Sequence, residues 1–248
     1  SAPGIEMACK TKCQRNEDDY QLFPKIGQLA HNVNLSLSAL RKRIGGCETV
    51  YCYITTTAKN RNGRFVQTGS GPNFQGDLMT LCTCKHYMRT FLYPSDWKNK
   101  WIAAFTGVSA GNGKNFLIHL MQISQAFDSH CGLWFSKAVS AETKRTKVAH
   151  SDKFGDIWKP RRRGINPFDC QAYIPPCRNH VHAGCWENDI AYTKRKHRAP
   201  SLLVGDPRRS FLWDRPTVYY AHRLYRGGKK CDLDWLLDQL ESEIRGHL

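Results

Sequence analysis

Acidic residues are scarce in this chain. Against 37 Lys and Arg stand only 21 Asp and Glu, so the formal charge is +16 over 248 residues. A balance this basic disfavours cationic ligands and points to an anionic partner, through counterion release and long-range steering. Long apolar runs are missing too: no segment approaches the roughly 20 residues that a helical membrane span needs. The opening SAPGIEMACK has no apolar stretch of the kind a secretory signal carries. The eleven cysteines therefore read as reduced thiols with room for one metal site, and the chain reads as intracellular. Internal repeats and low-complexity tracts are absent. No Gly-Lys-Ser/Thr ending follows the glycine loop at 68–73, which excludes a P-loop. Paired Cys-x-x-Cys elements are missing, which excludes the common zinc fingers. No Ser-His-Asp arrangement or neighbouring carboxylate pair nominates an acid–base catalyst.

What is present reads as strands separated by irregular loops. Thr49–Ala58 and Trp101–Val108 are dense in β-branched and aromatic residues and predict strands. Phe116–Phe127 predicts a third, antiparallel to the second, and Ser201–Val204 and Pro216–His222 two short ones. Leu35–Ile44 has the spacing of a short helix ended by Gly45-Gly46. Leu78–Phe91 reads as a short helix or turn, and Lys59–Gly76 as a loop. Asp232–His247, with Leu233, Leu236, Leu237, Leu240 and Ile244 as an apolar stripe, predicts a C-terminal helix. The expected class is α+β: a small, strongly bent mixed sheet or open barrel with peripheral helices.

Four constellations carry chemistry. The loop Thr68-Gly69-Ser70-Gly71-Pro72-Asn73 has the composition of backbone that turns sharply near a ligand. Cys82-Thr83-Cys84-Lys85 follows, with Arg89 four residues beyond Lys85, so one helical face carries two cations toward a phosphate. A thiol beside such cations is also a candidate nucleophile, with His180 as its base. Cys170, Cys177, His180, His182 and Cys185 offer zinc-type ligands, although a zinc deaminase is excluded by the missing His-x-Glu and the missing second Cys. Lastly, Lys144–Arg163 and Lys194–Arg198 are basic runs interleaved with Phe154, Trp158 and Tyr192, as in proteins that track phosphates and stack on bases.

Taken in order, Thr68-Gly69-x-x-Pro72-Asn73, Cys82-Thr83-Cys84-Lys85-x3-Arg89, the strand Trp101–Gly107, Gly155-Asp156-Ile157-Trp158, Asn179-His180 and Ser201–Val204 with Phe211 resemble the nucleotide-modification-associated domains, distant relatives of the PUA, ASCH, EVE and YTH group. Gln67 stands where that pattern has an acid, and His86 where a Pro is common. The resemblance implies residues 1–48 as an N-terminal extension with a short helix, and 49–248 as a PUA-like nucleic-acid-binding domain. It implies recognition of a modified base, DNA favoured over RNA, in a basic aromatic cleft, and company with a nuclease or modification enzyme. Its site residues would be Thr68, Gly69, Pro72, Asn73, Cys84, Lys85, Arg89, Trp101, Asp156, Trp158, Arg161, Arg162 and His180. Trp97 and Trp186 are further stacking candidates. Zinc held by Cys170, Cys177, His180 and Cys185 is the one cofactor the residues suggest.

Overall fold

The computed structural model describes residues 23–67, 71–148, 155–174, 187–191, 199–225 and 228–243. Its strands are β1 Thr49–Thr55, β2 Ala58–Arg61, β3 Arg64–Gln67, β4 Thr80–Leu81, β5 Trp101–Thr106, β6 Asn115–Phe127, β7 Lys159–Pro160, β8 Tyr173–Ile174, β9 Leu202–Leu212, β10 Val218–Tyr220, β11 Lys229–Asp232 and β12 Leu240–Ser242. Its helices are α1 Leu37–Arg43, α2 His86–Arg89, α3 His130–Phe135, α4 Ala141–Lys147, α5 Glu187–Ala191 and α6 Leu233–Asp238.

The main sheet runs β11-β1-β5-β6 and then forks. The start of the long β6 pairs with β10, which pairs with β12; the rest of β6 pairs with β9, which pairs with β4. Among the described strand pairs of this sheet only β1 and β5 run parallel, so the sheet is mixed. Register shifts in the β5–β6 and β6–β9 ladders bend the strands, and the sheet curls into a half-barrel. The class is α+β, as the strand and helix spacing predicts. No helix of the described residues is long and apolar enough to cross a membrane.

Alternation along the strands creates two cores. One face gathers Tyr51, Tyr53, Ile102, Ala104, Met121 and Leu212 with Phe65, Phe74 and Trp97. The other gathers Val50, Cys52, Trp101, Ala103, Phe105 and Leu120 against the leucines of α1 and α6. Phe23 and Leu29 enter the first core and Leu40 the second, so the described part of 1–48 packs within the same body. Ser36 caps α1, its hydroxyl accepting from the Ala39 amide at 3.2 Å.

Three elements depart from expectation. The segment expected to be a loop after β1 contains the β2–β3 hairpin, turned by Asn62 at φ 50° and Gly63 at φ 74°, the paired positive φ values of a type I′ turn. β9 runs on through Pro207 to Leu212 because β6 supplies a partner along most of its length. α6 stops at Asp238, and Leu240–Ser242 leaves it to pair with β10. The apolar stripe is real, with Leu233, Leu236, Leu237 and Leu240 all buried, but its last leucine is delivered by a strand. Ile244 lies outside the described residues.

Candidate functional site

A cleft of about 260 Å³ opens where the β1–β11 edge of the sheet faces α2. Period-two alternation puts Tyr51 and Tyr53 of β1 on the same side. In register, Lys230 lies opposite Tyr51, and its ammonium is 6.0 Å from that ring. From α2 and the residues after it come Tyr87 and Phe91, packed edge to face at 4.8 Å, with Phe91 6.1 Å from Tyr51. Lys85 completes the wall: its Nζ donates to the Ile54 carbonyl at 2.7 Å and sits 5.0 Å from the Tyr53 ring. Gly228 forms the rim at φ 73°, and a Cβ there would lie 2.4 Å from the Cys52 carbonyl, so only glycine lets the chain approach β1 this closely.

The lining is aromatic and cationic. Tyr51, Tyr53, Tyr87 and Phe91 supply rings, Lys85 and Lys230 supply charge, Lys229 borders the cleft with its ammonium turned to the opposite face of the sheet, and among the described lining residues there is no carboxylate. Burial raises both the Tyr51 and Tyr53 phenols, and the nearby Cys84 thiol raises Tyr53 further, so the rings stay neutral. Behind the cleft the Tyr53 hydroxyl lies 3.0 Å from His119 Nε2. It crosses β5 to do so, and the small Ala104, in register with both, leaves the room.

Burial pushes the His119 imidazole down from 6.5 to about 3. The folded pKa thus lies below the unfolded one, and the unfolded chain takes up a proton that the folded chain refuses. Stability from this group is present above pH 6.5 and drains as pH falls toward 3. Between pH 7 and 4.5 the loss is about 3 kcal/mol. In urea unfolding at those two pH values, His119→Gln should flatten the dependence by that amount. A variant with unchanged pH dependence would remove His119 from this account.

The turn that carries Lys85 is held from beneath. Cys84 and Lys85 both have positive φ, 61° and 47°, two consecutive left-handed residues that are not glycine. Asp189 of α5 accepts from the Cys84 amide at 3.1 Å and lies 2.5 Å from His86 Nε2. The fully buried Arg89 guanidinium donates from Nε to the Cys84 carbonyl and from Nη1 to the Ser201 carbonyl, both at 2.9 Å. Burial lowers the Arg89 pKa and Asp189 works against that shift.

A second polar cluster lies under the Pro72-Asn73 turn. Asp156 and Lys147 are both 0% exposed, with Lys147 Nζ 3.7 Å from Asp156 Oδ1. Asp156 accepts from the Thr80 hydroxyl at 2.7 Å and the Cys82 amide at 3.1 Å. Lys147 in turn donates to Thr80 Oγ1 at 2.8 Å and to the Asn73 carbonyl at 3.4 Å.

Of the residues nominated from sequence, Lys85 lines the cleft and Cys84 is exposed on the turn that carries it. Several others need correction. Arg89 and Asp156 are buried anchors of backbone, not contacts for a phosphate or base edge. Trp101 is fully buried in the second core, with the Arg209 guanidinium 5.1 Å from its ring. Trp158 packs with Tyr173, and its amide donates to His130 Nδ1 at 3.1 Å; Trp97 is buried against Tyr51. These rings are enclosed by core, so none offers a face to a ligand. Pro72 and Asn73 are buried over Lys147, whereas Arg161 and Arg162 are exposed on the β7–β8 segment. Cys82 is buried, and burial together with Asp156 pushes its thiol well up, so it is no nucleophile. Thr68, Gly69, Cys177, His180, Cys185 and Trp186 lie outside the described residues. Cys170 directs its thiol to the Glu187 carbonyl at 3.8 Å, and no group of three metal ligands occurs among the described residues.

Sequence reasoning missed Tyr51, Tyr53, Tyr87, Phe91, Lys229 and Lys230 as cleft residues. A signal existed: tyrosines two apart in a strand, an aromatic pair four apart at the end of the stretch read as a short helix or turn, and two lysines after a glycine pair. No family model, curated protein or solved structure matches this chain.

Proposed function

We propose that this chain is a nucleic-acid-binding module that seats a modified nucleobase, in DNA by preference, in the cleft between β1, β11 and α2. The observation that carries this reading is the lining: four aromatic rings and the ammonium groups of Lys85 and Lys230, with no carboxylate among the described lining residues. Rings stack on any base face, and lysines meet the flanking phosphates. Methylammonium ligands also favour aromatic cages, but the two ammonium groups repel them. The volume lies just below the roughly 300–1,000 Å³ of sites for drug-sized ligands, which suits a single base with its sugar. Extrusion of that base from a duplex costs a few kcal/mol, which the phosphate contacts offset. The net charge of +16 supplies the long-range attraction. On this reading the protein works inside the cell beside a nuclease or modification enzyme.

The test is binding at about 0.15 M salt to matched short duplexes and single strands, with 5-methylcytosine, N6-methyladenine or no modified base. A gain of tenfold or more for one modified base, about 1.4 kcal/mol, is expected, and Tyr87→Ala should abolish it. Equal, salt-sensitive binding to every oligonucleotide would leave a generic binder, the reading in which Cys170, Cys177, His180 and Cys185 hold a structural zinc.

A second reading, an enzyme with Cys84 as nucleophile, draws on its exposure, its left-handed turn and the His86–Asp189 pair beside it. It predicts rapid alkylation of one thiol by iodoacetamide at pH 7, lost in Cys84→Ser. Uniformly slow thiols would dispose of it.

A further inference from the structure

β11 is the outermost strand of its end of the sheet, and among the described residues it pairs only with β1. Its side chains alternate between faces. Lys230, in register with Tyr51, faces the cleft, while Lys229, in register with Cys52, faces the opposite side. There the Lys229 ammonium sits 3.7 Å from the Trp235 ring centroid and 3.2 Å from the Tyr220 hydroxyl. Trp235 is 37% exposed, whereas Trp97, Trp101, Trp158 and Trp213 are fully buried. Tyr225, just before this strand, is 71% exposed, and His222 and Arg223 are exposed beside it. Two acids of α6 are turned elsewhere: Asp234 accepts from the Gly46 amide at 2.7 Å, and Asp238 pairs with Arg41 at 3.2 Å. Asp232 is the acid left on the edge.

The edge is thus a two-sided cationic rail with an aromatic platform on each side. We infer that a nucleic-acid strand crosses it, one nucleotide in the cleft and its neighbour stacked on Trp235, with the phosphate that joins them held between Lys229 and Lys230. This rests on the reading of the cleft above. Two adjacent lysines on a short edge strand oppose addition of a protein strand, while their charge complements a phosphate backbone. The platform is indifferent to base identity, because stacking is. Recognition in the cleft and grip on the strand are therefore separate properties of neighbouring residues.

The experiment uses five-residue single strands of thymine, with N6-methyladenine, 5-methylcytosine or thymine at the centre. Trp235→Ala and Lys229→Ala should each weaken every strand fivefold or more and leave the ratio of modified to unmodified affinity unchanged. Trp235→Phe should recover most of the loss, and Lys229→Ala should lower the salt dependence by about one phosphate contact. If Trp235→Ala and Lys229→Ala stay within twofold of the parent protein, the strand does not cross here. Loss of the modified-base ratio in Tyr87→Ala tests the cleft itself, so failure of one reading is distinct from failure of the other.

Discussion

Lys147→Met should cost about 3–5 kcal/mol of unfolding free energy, far more than any other lysine in the basic run from 144 to 163. The reason is its position. Its ammonium is wholly buried and reaches Asp156, Thr80 and the Asn73 carbonyl, so the change leaves the Asp156 carboxylate buried without its ion-pair partner. Asp156→Asn should cost a similar amount by the reverse route, stranding the ammonium. The double variant should lose less than the sum of the two, by roughly 0.5–3 kcal/mol, because the second change removes the charge that the first left uncompensated. Urea unfolding of the four proteins at pH 7 gives the cycle. Additive losses would show that the two charges do not interact, and a loss under 1 kcal/mol for Lys147→Met would show that water reaches the ammonium. The cluster also fixes the backbone of Asn73, at the exit of the glycine loop. Its loss should therefore raise hydrogen exchange at 73–82 first.

The strands that were legible are those with locally consistent chemistry. β1, β5 and β6 are rich in β-branched and aromatic residues, and β1, β5 and the first nine residues of β6 are largely buried on both faces. β11 was illegible because it is made of lysines, a cysteine and an aspartate; its strandness comes from pairing with β1, and its charge is what keeps an edge strand from aggregating. The end of α6 was missed for a related reason. The leucine pattern continues past Asp238, but Tyr220 offers Leu240 a strand partner, and tertiary pairing overrides a helical period. The Asn62-Gly63 turn was legible in principle, since that dipeptide is a strong hairpin signal; β2 beside it has three exposed residues in four and so no apolar alternation to announce it.

The candidate site was half legible. Cys84, Lys85 and Arg89 mark the turn that borders the cleft, but spacing cannot say which cation lines the cleft and which is buried against carbonyls. Burial decides that, and it inverts the expectation for Arg89. The same holds for tryptophans: the fully buried Trp97, Trp101 and Trp213 fill the sheet's cores, Trp158 a smaller cluster with Tyr173, and the smaller tyrosines line the cleft. Large rings gain most from full burial, so they are poor guides to a binding surface unless exposure is known.

Arg89→Ala should be the variant that couples fold to cleft most strongly. Its guanidinium satisfies the Cys84 and Ser201 carbonyls and offsets Asp189, so deletion orphans two carbonyls and removes a cation that acts on the buried Asp189 carboxylate. The expected cost is about 3–5 kcal/mol. Arg89→Lys keeps the charge but not the fork that reaches both carbonyls, and should cost about 2 kcal/mol while remaining folded. The left-handed pair Cys84-Lys85 is held in place by the Arg89 bond to the Cys84 carbonyl, and such backbone costs about 1–3 kcal/mol per residue unless its surroundings enforce it. In Arg89→Lys the turn should relax, Lys85 should lose the Ile54 carbonyl, and oligonucleotide affinity should fall although Arg89 touches no ligand. Three readouts separate the possibilities: urea unfolding, amide exchange at 82–90, and binding. Lost stability together with faster exchange identifies a buried staple that shapes the cleft. Unchanged stability with weakened binding would instead return Arg89 to the phosphate-contacting role that its spacing from Lys85 suggests.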